Sequence, residues 1–113
     1  MKILVCDNLE NKVLEKFGEL GQITNISDSK TKNEELINHI VDTDIVVIRS
    51  STKINKDILE NANKLKIIAR CGVGVDNIDI QEATNKKIYV TNSPNANIIS
   101  VAELTIGVFI CGA

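Results

Sequence analysis

The feature that most constrains this chain is a repeated pairing of short apolar runs with helical patterns. "KILVCD", "DIVVIRS", "LKIIAR" and "KIYVTN" are rich in branched residues and nearly continuous in apolar character. Such runs read as strands buried on both faces, which is how the strands of a parallel sheet read. Between them, apolar residues recur at helical spacing. "LENKVLEKFGEL" puts Leu9, Val13, Leu14 and Phe17 on one face, with Gly21 as the expected stop. Thr31 and Glu34 have the spacing of a capping box ahead of "ELINHIV", where Leu36, Ile37 and Ile40 form one apolar face. Asn55 is placed to cap "NKDILENA", and Asp79 with Glu82 to cap "IQEATNKK"; "QITNI" is a weaker strand. Strand–helix alternation of this kind predicts an α/β fold, a parallel sheet with helices on both faces.

Composition narrows the function. The 113 residues carry a formal net charge of −2 and 43% hydrophobic content, enough for one domain with a modest core. The lysines are scattered, so no basic face argues for nucleic acid. Cys6, Cys71 and Cys111 are widely spaced and the chain has one histidine, a pattern for neither a metal site nor a disulfide framework. Asp7 interrupts "MKILVCDNLE" before a signal-peptide core can form, and no apolar run reaches the roughly 18 residues of a membrane span. A cytoplasmic protein away from membranes is the expectation.

"RCGVGVDNIDI", residues 70–80, follows a strand and leads into a helix, as a dinucleotide-binding loop does. The fingerprint G-x-G-x-x-G needs a third glycine where this sequence has Asn77, and an acidic residue where the next strand ends in Asn92. The loop is therefore no cofactor fingerprint. Its two glycines, Gly72 and Gly74, can still aim successive amides at an anion, or simply make a tight turn. Arg49, at the rim of the most apolar strand, suits a carboxylate or phosphate through its planar fork, or an ordinary surface ion pair. Ser50 and Ser51 offer hydroxyl donors or a turn, and Asn97 in "TNSPNANIIS" an uncharged hydrogen-bonding group or a self-capped loop. All follow strand ends, so a doubly wound sheet gathers them at one edge. They describe a pocket for a small oxyanion-bearing molecule, without a general base, nucleophile or metal. His39 reads as a half-exposed helix residue rather than a catalyst.

"VAELTIGVFICGA", opened by the Ser100/Glu103 capping pattern, reads as a helix apolar nearly all round. Such a helix has to pack on other structure. The expectation is that this is the front part of a longer polypeptide, or that an oligomer partner covers the helix.

"RSSTK", "GVGVDNID" and "SPNANIISVAEL" in combination resemble the N-terminal region of D-2-hydroxyacid dehydrogenases, over roughly residues 44 to 107. Within that family the pattern is most similar to the members that act on 3-phosphoglycerate. The resemblance implies a flavodoxin-like substrate-binding domain over residues 1–98, incomplete, and the start of an interdomain helix over 99–113. That helix would lead to an NAD-binding Rossmann domain. It implies that Arg49 and Ser50 face the substrate's phosphate or carboxylate, that the amides of Val73 and Gly74 hold the carboxylate, and that Asn97 lies on the substrate side. Val73 and Val101 would approach the nicotinamide half of NAD. The proton-shuttling residues would lie beyond residue 113, so no catalytic residue is assigned here and the chain alone is expected to be inactive. A small 2-hydroxy or 2-oxo acid, phosphorylated, is the implied substrate, and a homo-oligomer the implied state at full length. The alternatives are another acid, such as glyoxylate, hydroxypyruvate or D-lactate, or a non-catalytic anion-binding module. A phosphoacceptor receiver domain would need an aspartate at the third strand's end, where Arg49 and Ser50 stand.

Overall fold

In the computed structural model, which describes residues 2–19, 21–71 and 76–93, every expected apolar run forms a strand. The elements are β1 (Lys2–Val5), α1 (Asn11–Gly18), β2 (Gln22–Asn25), α2 (Lys32–Ile40), β3 (Ile45–Ile48), α3 (Lys56–Glu60), β4 (Ile67–Cys71), α4 (Ile80–Asn85) and β5 (Tyr89–Ser93). All neighbouring strands run parallel, in the order β2-β1-β3-β4-β5. This is the flavodoxin-like winding, in which the chain steps outward from β1 in both directions.

Side chains alternate across the sheet and fill two cores. Leu4, Val46, Ile48 and Ile68 meet Leu36 and Ile40 of α2, Ile58 and Leu59 of α3, and Ala83 of α4. On the other face Ile3, Val5, Ile45, Val47, Ile67, Ala69 and Cys71 meet Val13 and Phe17 of α1. Every residue of β3 and β4 is buried, which is why those runs show no polar alternation.

Several local expectations change in the folded chain. Helix α1 stops at Gly18 rather than Gly21. Pairing of Gln22 with Lys2 fixes where β2 must begin, so the chain has to leave the helix earlier. The Thr31/Glu34 capping box does not form. Thr31 has φ −115° and ψ 47°, makes no side-chain cap, and donates its own amide to Ser29 Oγ at 3.1 Å. Ile37 is 40% exposed, because Leu36 and Ile40 are the pair aimed at the sheet. The other caps form: Asn55 Oδ1 accepts from Ile58 N at 3.1 Å, and Asp79 Oδ1 from Glu82 N at 3.0 Å. Only half of the second box is made, since the Asp79 amide donates to Ile54 O instead.

Helix α4 ends at Asn85, before the two lysines. Lys87 takes φ 61°, its amide donates to Thr84 O, and Ile88 N donates to Ala83 O at 2.8 Å. That is a Schellman closure with a lysine where glycine is usual, anchored by the buried Ile88. The expected helix over residues 99–113 lies outside the described residues. Among the described residues no helix is long and apolar enough to cross a membrane.

Candidate functional site

Parallel winding brings the loops that follow β1, β3 and β4 to one edge of the sheet. At its centre, where β1 and β3 lie side by side, β1 runs into Asp7, which is 3% exposed. A buried carboxylate needs several donors, and Asp7 has them. Its Oδ2 accepts from Arg49 N at 2.6 Å and Thr52 N at 3.2 Å. Its Oδ1 accepts from Thr52 Oγ1 at 2.7 Å and from Lys32 Nζ, at the start of α2, at 3.0 Å. Burial pushes this carboxyl up, but the Thr52 hydroxyl, the Arg49 amide and the Lys32 ammonium outweigh it and hold the group below its ordinary value of 3.8. Asp7 is held in its ionised form, with both oxygens engaged by donors.

Asn77 holds the same loop from the other side. Its Nδ2 donates to Arg49 O at 2.7 Å and to Thr52 O at 2.6 Å, while its Oδ1 accepts from Arg70 Nε at 2.7 Å. The two segments also pair through their backbones. Ile54 N donates to Asn77 O and Asp79 N to Ile54 O, a parallel bridge between Ile54 and Ile78. The amide and the carbonyl of both Arg49 and Thr52 are thus held by side chains from neighbouring loops.

On this frame Arg49 is half-buried, with Nη1 3.4 Å from Asn8 O, a long contact to a backbone carbonyl. Among the described residues no carboxylate lies within ion-pair reach of its guanidinium. The surface ion pair that the sequence left open is thus not made with any described carboxylate. Ser50 and Ser51 are exposed beside it, and Ser51 borders an open groove with Lys32, Thr52, Lys53 and Asn55. Val73, Gly74, Asn97 and Val101, the other expected contacts, lie outside the described residues.

The thiols nearby are not tuned for chemistry. Burial pushes Cys6 up to about 12, and pushes Cys71 up to about 11 against the pull of Arg49 and Arg70. Among the described residues no cluster of His, Cys, Asp and Glu is placed to hold a metal. Among the described residues, the arrangement sets Arg49 beside a carboxylate whose oxygens are both engaged.

Sequence reasoning missed Asp7, Thr52 and Asn77. In the sequence Asp7 reads only as a break in a signal-peptide core, and Asn77 only as the wrong residue for a glycine fingerprint. The usable signal was position: a carboxylate just past the buried apolar run Ile3–Cys6 sits where a parallel sheet places its loops.

Residues 3–107 match the family model of the D-isomer specific 2-hydroxyacid dehydrogenase catalytic domain. The D-3-phosphoglycerate dehydrogenase of Methanocaldococcus jannaschii is 48% identical over 116 residues, covering 100% of this chain and 21% of the relative. A hydroxypyruvate reductase of Thermotoga maritima is 44% identical over 88 residues, 78% of this chain and 29% of the relative. Among solved structures, an NAD+-bound 3-phosphoglycerate dehydrogenase of Entamoeba histolytica matches with a TM-score of 0.73 and 38% identity, over 99% of this chain and 39% of that one. The chain spans about a fifth of the length of the curated phosphoglycerate dehydrogenases it matches, the Methanocaldococcus jannaschii relative among them.

Proposed function

Because the chain belongs to the D-isomer specific 2-hydroxyacid dehydrogenase family, we propose that it is the substrate-binding part of an NAD-dependent D-3-phosphoglycerate dehydrogenase. The full-length protein would oxidise 3-phosphoglycerate to 3-phosphohydroxypyruvate, the entry to serine biosynthesis, as a cytoplasmic homo-oligomer. The observation that carries this reading is similarity to D-3-phosphoglycerate dehydrogenases along the whole chain, at 48% identity in the Methanocaldococcus jannaschii relative. Residues 1–98 would form the substrate domain, and 99–113 the start of the helix leading to a Rossmann domain.

NAD would supply the acceptor for the hydride leaving the substrate's C2. The glycine loop of this chain does not fit the pyrophosphate, because the third fingerprint position is Asn77 and its amide already bridges Arg49 O and Thr52 O. The dinucleotide would be held mainly by the Rossmann domain, with Val73 and Val101 near its nicotinamide. This chain would bind and orient: Arg49 and Ser50 on the phosphate or carboxylate, the Val73 and Gly74 amides on the carboxylate, Asn97 beside them. Orientation of that kind can remove as much as ~7 kcal/mol of barrier. Support for the role of Arg49 comes from its position at the end of β3 with no carboxylate partner among the described residues.

The test is NADH formation by the full-length enzyme with D-3-phosphoglycerate, with residues 1–113 alone as the inactive control. Arg49→Ala should lower kcat/KM by about 2 to 4 kcal/mol if a desolvated charged contact is lost. Unchanged kcat/KM would remove Arg49 from the site. A preference for hydroxypyruvate, which the Thermotoga maritima relative makes the second reading, would replace the substrate and keep the fold.

A further inference from the structure

An arginine binds an anion well only if its backbone arrives in one conformation. The segment from Arg49 to Thr52 has no regular structure of its own, yet four of its backbone groups are fixed. Asp7 takes the amides of Arg49 and Thr52, and Asn77 takes their carbonyls. Asp7 belongs to the loop after β1, and Asn77 to the loop after β4. The segment is therefore braced between the loops of both neighbouring strands. Asn77 suits this because an amide both donates and accepts: Nδ2 bridges two carbonyls while Oδ1 takes Arg70 Nε at 2.7 Å. Neither aspartate nor glycine could do both. The Ile54–Ile78 bridge fixes the backbone on either side, so the amide has little room to drift.

We propose that Asn77 is a positioning residue for Arg49: its side-chain amide sets the Arg49–Thr52 backbone and so aims the guanidinium at the substrate's anionic group. This rests on the role proposed above for Arg49. Without the amide, the two carbonyls would turn to water, the segment would sample several conformations, and Arg49 would meet the anion in only a fraction of them. The effect would fall on substrate binding rather than on turnover of bound substrate.

The experiment is a double-mutant cycle in the full-length enzyme, pairing Asn77→Ala with Arg49→Ala. Two quantities are read: kcat/KM with D-3-phosphoglycerate, and calorimetric binding of that substrate without NAD. Asn77→Ala is expected to weaken both at least tenfold with Arg49 present, through KM and not kcat. In the Arg49→Ala background the same change should cost less than threefold. An equal penalty in both backgrounds overturns the proposal, because a role in general stability acts whether or not Arg49 is there. If Arg49→Ala alone changes nothing, the assignment of Arg49 fails, and the proposal falls with it by a distinguishable route. Should Asn77→Ala fail to fold, Asn77→Ser replaces it: its shorter hydroxyl cannot bridge two carbonyls, and the same two outcomes decide.

Discussion

Graded removal of Asp7 tests whether the site's frame is held as described. Asp7→Ala deletes the acceptor for two backbone amides and one hydroxyl in a place that is 3% exposed. Each orphaned buried donor costs about 1 to 3 kcal/mol, and water entering the vacated space recovers part of that. A total of about 3 to 5 kcal/mol is expected, the usual range for breaking a buried charged pair from one side. Asp7→Asn should be much milder. Its carbonyl oxygen can take the place of Oδ2 and keep both amides, while the Thr52 hydroxyl rotates to accept from the new NH2. Lys32, with its side chain 26% exposed, can turn to water. About 1 to 2 kcal/mol is then lost, mostly from the charge-assisted contacts.

The acid limb gives a second readout. The folded carboxyl sits below its ordinary value of 3.8, so its stabilisation is complete above that pH and is lost as pH falls through the folded value. The gap between wild type and Asp7→Asn should be flat from neutrality to near pH 4 and shrink below it. Other carboxylates titrate there too, but they are common to both proteins and cancel in the difference. Urea denaturation at a series of pH values measures all of this. An Ala variant no worse than Asn, or a gap that widens in acid, would refute the four-contact account of Asp7.

Three further outcomes follow from local geometry. In a Cys111→Ser background, Cys6 and Cys71 should resist alkylation at pH 8 while folded and label readily in urea, since burial raises them to about 12 and about 11; rapid labelling of the folded protein would contradict it. Lys87→Gly should stabilise by about 0.5 to 1 kcal/mol, because φ 61° strains a side chain and suits glycine; a lower melting temperature would count against the strain. Asn55→Ala should remove about 1 kcal/mol by leaving the Ile58 amide uncapped, measured by the same denaturation.

The strands were legible because burial on both faces leaves a mark that needs no partner to be read: the residues of "IVVI" and "IIARC" are all buried in the sheet. The caps at Asn55 and Asp79 were legible for a similar reason, as each acts within one turn of its own helix. What failed depended on distant residues. Gly21 lost the end of α1 to the register of β2; Thr31 is the exception, losing its capping role to a contact with Ser29 two residues away. Asp7 and Asn77 act across separations of 42 and 28 residues on Arg49, and no window of sequence holds both ends of such a contact.

The sheet order explains why those long contacts gather where they do. Ligands of open α/β sheets bind outside the carboxyl ends of the strands, where the winding reverses. Here that place lies between β1 and β3, where Asp7 and the Arg49–Thr52 segment meet. The rule gives a position and not a group. In this chain the deepest polar groups of the crevice are turned on one another: a carboxylate on two amides and a hydroxyl, an amide side chain on two carbonyls. The result is a floor in which, among the described residues, no buried side-chain polar atom lacks a partner. Arg49 stands on that floor half-buried, and in the role proposed for it would offer its charge to an incoming anion there. In the role proposed for it, Arg49 would be held by contacts that a substrate on its guanidinium would not disturb, because Asp7 and Asn77 reach it through its backbone.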